Sequence, residues 1–271
     1  MEITGFILAA LVGVSLGLIG GGGSILTVPI LVYLMGVNPI LATSYSLFIV
    51  GSTSMVGAVD NYRKGFVRIK TALLFGLSSI TTVFVIRKIV MPEIPSVLFN
   101  TEHFRITQSM ATMVLFAILM LLASIAMITG KNEPLLTNKI AMQNDHHTFK
   151  LLLYGILIGL STGFLGAGGG FLVIPALVII LKMPMKQAVG TSLLIIALNS
   201  LIGFTGDLGH FAINWKFLLS ISLIAIAGIF VGGIIAKRIH GDHLKKGFGW
   251  FVLVMGVYIF VKEIFFSAGG M

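Results

Sequence analysis

A chain of 271 residues that is 57% hydrophobic and only 10% charged carries more apolar surface than a water-soluble fold of this size can hide. It belongs in lipid, as a single membrane domain over residues 1–271. A net charge of +9 does not point to nucleic acid here, because the basic residues sit between apolar segments, where the positive-inside rule places them. The absence of cysteine excludes disulfides, thiolate catalysis and thiolate metal sites.

A bilayer core of about 30 Å needs about 20 apolar residues of helix. Apolar runs predict ten helical segments, near 3–19, 25–35, 40–59, 69–86, 106–128, 151–165, 171–181, 188–205, 217–235 and 248–266. Glu2 stands where a cleavable leader would carry a basic residue, and the first run leads straight into more membrane sequence, so no signal peptide is expected. The second and seventh runs are too short to span as straight helices. Each follows a glycine cluster and reads as half of a broken or re-entrant element. The stretch 92–105, with Pro92, Pro95, Glu93 and Glu102, reads as an external loop.

The chain repeats itself. Shifted by 146 residues, Gly17-Leu-Ile-Gly20-Gly-Gly22-Gly23 falls on Gly163-Phe-Leu-Gly166-Ala-Gly168-Gly169. Pro29 then falls on Pro175, Ala42 on Ala188, Ser46 on Ser192, Ser54 on Ser200, Gly57 on Gly203 and Lys70 on Lys216. Residues 1–130 form one repeat and 149–271 the other, joined by a cytoplasmic linker over 131–148. If each glycine break joins a segment that enters to one that returns, every half has five segments and the halves are inverted. Both termini are then outside. The outside then holds only Arg87, Lys88, Arg105, Lys216 and Lys262, leaving thirteen of the eighteen basic residues inside. Parallel halves would divide them nine against nine, so the positive-inside rule selects inversion. The expected fold is an all-α polytopic membrane protein of about 8–10 transmembrane segments, in two inverted five-segment repeats. Inverted repeats with discontinuous helices are a recurring plan of secondary transporters, with substrate at the midplane.

Three stretches carry a family resemblance. They are Gly17-Leu-Ile-Gly-Gly-Gly-Gly-Ser-Ile-Leu-Thr-Val-Pro29, Gly163-Phe-Leu-Gly-Ala-Gly-Gly-Gly-Phe-Leu-Val-Ile-Pro175 and Ala188-Val-Gly-Thr-Ser192. The chain resembles the sulfite exporter TauE/SafE family across both halves, although Ala42-Thr-Ser-Tyr-Ser46 departs from the Gly-Thr-Ser form. The resemblance implies a bacterial or archaeal inner-membrane protein that moves sulfite, sulfonates or related anions.

The residues support an anion site in their own terms. Each glycine costs about 1 kcal/mol in a helix interior, so a cluster breaks the helix. In hydrocarbon, broken backbone survives only where it is buried in protein or lines a polar cavity. The helices that begin near Ser24 and Gly170 would each present unpaired N–H groups and a positive dipole end, which suit an oxyanion. Gly20, Gly22, Gly23 and Ser24 in the first half, with Gly166, Gly168, Gly169 and Gly170 in the second, are the candidate cradle. Close packing of small residues is the competing explanation.

Ser46, Thr191, Ser192 and Asn199 are candidate path-lining groups, with Thr43, Ser44, Thr53, Ser54 and Ser200 nearby in sequence. Hydroxyls in membrane helices often bond back to their own helix; Asn199 is costlier to leave unpaired. Asp60 and Asp207, just past matching helices, are either proton-coupling groups or solvated helix ends. No charge is expected near a segment centre. Asp145-His146-His147 lies in a polar loop without a further ligand, so neither metal nor cofactor is expected, and an enzyme is not. The expected partners are a small anion and membrane lipid, whose headgroups Arg63-Lys64 and Lys237-Arg238 could meet; no oligomeric state is legible. The composite expectation is a carrier that exports the anion by alternating access, with an anion channel or a non-transporting scaffold as rivals.

Overall fold

A computed structural model describes residues 2–19, 24–101, 104–129, 145–166, 168–181, 183–236 and 241–267. Its helices are α1 (Glu2–Ile19), α2 (Ser24–Leu34), α3 (Pro39–Arg63), α4 (Ile69–Glu93), α5 (Gln108–Thr129), α6 (Asp145–Leu165), α7 (Gly170–Ile180), α8 (Met185–Asp207), α9 (Trp215–Ala236) and α10 (Gly241–Val261). They follow the ten apolar runs in order. Among the described residues, five helices are long and apolar enough to cross a membrane: α3, α4, α5, α8 and α9. The protein is an all-α polytopic membrane protein, with one small hairpin among the described residues.

That hairpin occupies the stretch expected to be a loop. β1 (Val97–Thr101) pairs antiparallel with β2 (Phe104–Thr107), with Thr101 opposite Phe104. A second difference lies at Asp145-His146-His147, which opens α6 rather than lying in a loop.

Local chemistry sets the helix ends. Asn38 caps α3 by accepting from the Ile40 N–H at 3.0 Å, with Pro39 in the first turn, and Gly65 at φ 75 turns the chain out beyond it. At 11 residues, α7 rises about 16 Å, half of a bilayer core. Three stretches widen into π turns: Ile30–Leu34 in α2, Ile86–Val90 in α4, and Lys262–Ser267 after α10.

Glycines decide how the helices pair. A Cβ on Gly13 would lie 2.0 Å from the Ala225 carbonyl oxygen, so α1 and α9 touch backbone to backbone. α4 and α6 meet in the same way, where a Cβ on Gly159 would lie 2.7 Å from the Ser79 carbonyl oxygen. Along the central seam, Gly203 faces Leu47, Gly51 faces Leu201, Gly57 faces Leu193 and Gly190 faces Asn61. Rising numbers on α3 meet falling numbers on α8, so these two helices run antiparallel.

The contacts also exchange under the 146-residue shift. Gly57 meets Leu193 and Ile229, while Gly203 meets the equivalent Leu47 and Val83. The α1–α9 contact of Gly13 with Ala225 likewise becomes the α6–α4 contact of Gly159 with Ser79. Away from these seams, Leu73, Leu77, Leu122, Leu223 and Val254 turn outward, as side chains facing lipid do.

Gly13→Ala should therefore cost about 1–3 kcal/mol through overpacking against backbone. Gly233→Ala, on the same α9 but with open space at its Cβ, should cost nothing measurable. Melting the two variants in detergent checks this; equal melting temperatures would contradict the close α1–α9 packing.

Candidate functional site

Among the described residues, the helix break between α6 and α7 gathers three left-handed glycines within four positions. Gly166, Gly168 and Gly169 all hold left-handed φ values, of 67, 66 and 67°, which residues with a Cβ rarely adopt. Space is equally restricted. A Cβ on Gly166 would lie 2.3 Å from the Thr43 carbonyl oxygen of α3. One on Gly168 would meet Val50 at 2.8 Å and the Ser200 hydroxyl of α8 at 2.9 Å, and one on Gly169 the Thr162 hydroxyl of α6 at 2.3 Å. Three helices thus close on the break.

Gly169 is the N-cap residue of α7 and supplies no side-chain cap. The first N–H groups of such a helix have no intrahelical acceptor. Two hydroxyls stand against this end without a partner of their own: Ser200 Oγ and Thr162 Oγ1, both buried. Unpaired buried hydroxyls are costly in a low-dielectric interior. Together with a positive helix end they form a surface suited to a small anion.

The other sequence candidates divide. Gly20, Gly22 and Gly23 lie outside the described residues; Ser24 is buried at the start of α2. Gly170 is buried as the first residue of α7. Ser46 is buried on α3 with its hydroxyl unpartnered, as is that of Ser54. Thr191 accepts the Arg68 N–H at 3.0 Å and so holds the start of α4. Ser192 donates to its own helix at the Val189 carbonyl, 2.8 Å away. Asn199 donates to Ser79 Oγ at 2.7 Å, tying α8 to α4, and its Oδ1 has no partner.

The two aspartates part company. Asp60 is about half exposed and pairs with Lys64 one turn on, a solvated helix end. Asp207 is only 1% exposed, and its Oδ2 lies 3.2 Å from Nη1 of Arg87, itself 1% exposed. Of the two readings of Asp207 the solvated helix end fails, and Arg87 is not a loop anchor. The reason is that α4 does not stop near 86. It continues through its π turn to Glu93, with Arg87 on its buried side and Lys88 outside, 5.3 Å from the Phe84 ring centroid. Gly206 leaves the room, since a Cβ there would sit 3.0 Å from that of Arg87.

Arg87 Nη1 also donates to Thr43 Oγ1 at 3.0 Å, and Ser44 faces the Asp207 carboxylate. Thr43 is the residue whose carbonyl seats Gly166, so the ion pair and the helix break share a wall. Thr162 and Arg87 are the groups that sequence reasoning missed. Only one signal in the sequence could have found Arg87: an arginine preceding a basic neighbour inside a run that remains apolar to Met91.

The remaining π turns repeat the pattern of Arg87. Tyr33 in α2 donates to Glu263 Oε1 at 2.7 Å, and Glu263, just after α10, is buried. Such turns are frequent at functional sites.

Discontinuous helices within a multi-pass bundle are a recurring feature of membrane transporters. The match to the family described as "Sulfite exporter TauE/SafE" covers residues 5–259, and the chain belongs to that family. Its relatives carry the same class of name. A "Probable membrane transporter protein" of Xylella fastidiosa (strain Temecula1) is 30% identical over 92% of this chain and 91% of the relative. The Bacillus subtilis "Probable membrane transporter protein YunE" is 27% identical over 86% of each chain. No solved structure matches the chain.

The two aspartates give a test of the electrostatic account. Asp207→Ala should destabilise the protein by about 3–5 kcal/mol, because it strands a buried guanidinium. Asp60→Ala should change stability by less than about 1 kcal/mol, as exposed pairs do. Thermal melts of both variants decide it; comparable small shifts would show that Arg87 is solvated.

Proposed function

We propose that this membrane transporter is a secondary carrier for sulfite or a related small sulfur-containing anion, such as a sulfonate or a sulfoacetate-like acid. It exports that anion across the inner membrane by alternating access. The observation that carries the reading is the uncapped start of α7, set against the unpartnered hydroxyls of Ser200 and Thr162. Oxygen atoms of an anion would accept from the backbone N–H groups and from both hydroxyls. No cation is needed within the cradle itself.

The repeat plan belongs to the same proposal. Residues 1–130 and 149–271 act as two inverted halves, joined by the cytoplasmic linker 131–148, with both termini outside. The antiparallel α3–α8 seam and the exchange of glycine contacts support it, because a two-fold axis in the membrane plane generates both. The glycine cluster at 20–23 would then supply the symmetry-related cradle. The buried cradle corresponds to an occluded state, and rocking of one half against the other would open it to either side. Export needs no large ion gradient, since an inside-negative potential drives out each negative charge by about 2.3 kcal/mol per 100 mV.

The test is efflux of sulfite from loaded proteoliposomes. Wild-type protein should give saturable efflux with counterflow. Ser200→Ala removes one donor to a charged ligand and should raise KM by about tenfold or more. Gly168→Ala, strained by its φ and blocked by Val50, should abolish transport. Efflux without saturation or counterflow would instead indicate a channel. Efflux equal to that of empty liposomes for sulfite, sulfate and sulfonates would sink the sulfur-anion assignment.

A further inference from the structure

The guanidinium of Arg87 is only half used. Nη1 meets both Asp207 and Thr43, whereas Nε and Nη2 are buried and have no hydrogen-bond partner. These two nitrogens lie on the same side-on edge of the guanidinium. Their N–H bonds run parallel, in the fork that fits two oxygens of one oxyanion.

Leaving that fork empty in a buried, membrane-spanning helix is expensive. A purely structural ion pair would orient the fork on its carboxylate, since bidentate contact is the stronger arrangement. Asp207 instead takes the remaining nitrogen and shares it with Thr43. The geometry therefore points to Arg87 as an anion receptor whose Nε/Nη2 fork binds two oxygens of the transported anion, with Asp207 as the fixed counter-charge that aims the guanidinium and weakens the binding enough for release. This rests on the carrier reading above and adds a cationic station to it.

The station is placed to serve the cradle. Asp207 lies seven residues past Ser200 on α8, about 10 Å along the helix. Thr43 links the two places directly, with its hydroxyl on Arg87 and its carbonyl against Gly166. An anion leaving the α7 end along the α3–α8 seam would next meet the fork. Asp207 keeps the resting site neutral, so an arriving anion is drawn to the guanidinium and opposed by the carboxylate. That balance suits a passage site better than a trap.

Binding of sodium sulfite and methanesulfonate to the full-length protein in detergent, by calorimetry, tests this alongside proteoliposome efflux. Asp207→Asn keeps an acceptor for Nη1 and removes the opposing charge. It should tighten anion binding by at least several-fold and slow turnover at saturation. Arg87→Lys keeps the charge but loses the fork, and should weaken binding by about tenfold or more. The neutral pair Arg87→Gln/Asp207→Asn retains side chains of similar size with no buried charge. It should fold, as judged by its melt, yet bind at least tenfold more weakly than wild type.

A structural ion pair makes the opposite forecast: Asp207→Asn would leave anion affinity unchanged, and the neutral pair would transport like wild type. Either result overturns the inference. If wild type moves anion and Ser200→Ala impairs it while the Arg87 variants do not, the receptor role fails and the carrier reading stands. If wild type binds and moves no anion, both fail together.

Discussion

Backbone polar groups inside hydrocarbon must find partners within the protein, and the break between α6 and α7 is a place where that requirement bears directly. Three left-handed glycines interrupt a helix in the middle of the apolar chain. The interruption survives because α3, α6 and α8 close on it so tightly that no side chain fits at Gly166, Gly168 or Gly169. The antiparallel α3–α8 seam supplies two of those walls. The α1–α9 and α4–α6 contacts brace the seam from both sides, again through glycine. The helix end that α3, α6 and α8 enclose has no side-chain cap, and an uncapped helix N-terminus is a favourable place for an anion.

A second buried feature follows from the first. Once α3 and α8 lie antiparallel, the start of one meets the end of the other, so Thr43 and Asp207 come together. The π turn in α4 then delivers Arg87 between them. Adjacent helical residues point about 100° apart, so one member of an adjacent basic pair faces inward and the other outward. Tyr33 and Glu263, each on a π turn, are brought together in the same manner.

Much of this was legible in the sequence. Apolar runs located the described helices in order, the long ones because membrane thickness imposes their length and the short α2 and α7 because glycine clusters precede them. The 146-residue repeat was visible because glycines, prolines and serines matched, and these are the residues that set breaks and close approaches. The hairpin at Val97–Thr107 was not legible, since short polar stretches carry little periodicity. The division of the hydroxyls was also hidden. Thr191, Ser192 and Ser200 look alike in sequence, yet Thr191 caps α4, Ser192 bonds its own helix, and only Ser200 turns to the break. Arg87 was misplaced because a hydropathy reading ends a segment at its first charge, whereas a paired charge can continue inward.

The central claim is that the start of α7 seats the anion. Selenite has the charge and shape of sulfite and scatters X-rays anomalously, so a crystal of the protein soaked in selenite would locate the seat directly. The account predicts an anomalous peak within hydrogen-bonding distance of the backbone at 168–170 and of the Ser200 hydroxyl. A peak confined to surface lysines and arginines, with the α7 end vacant, would contradict it.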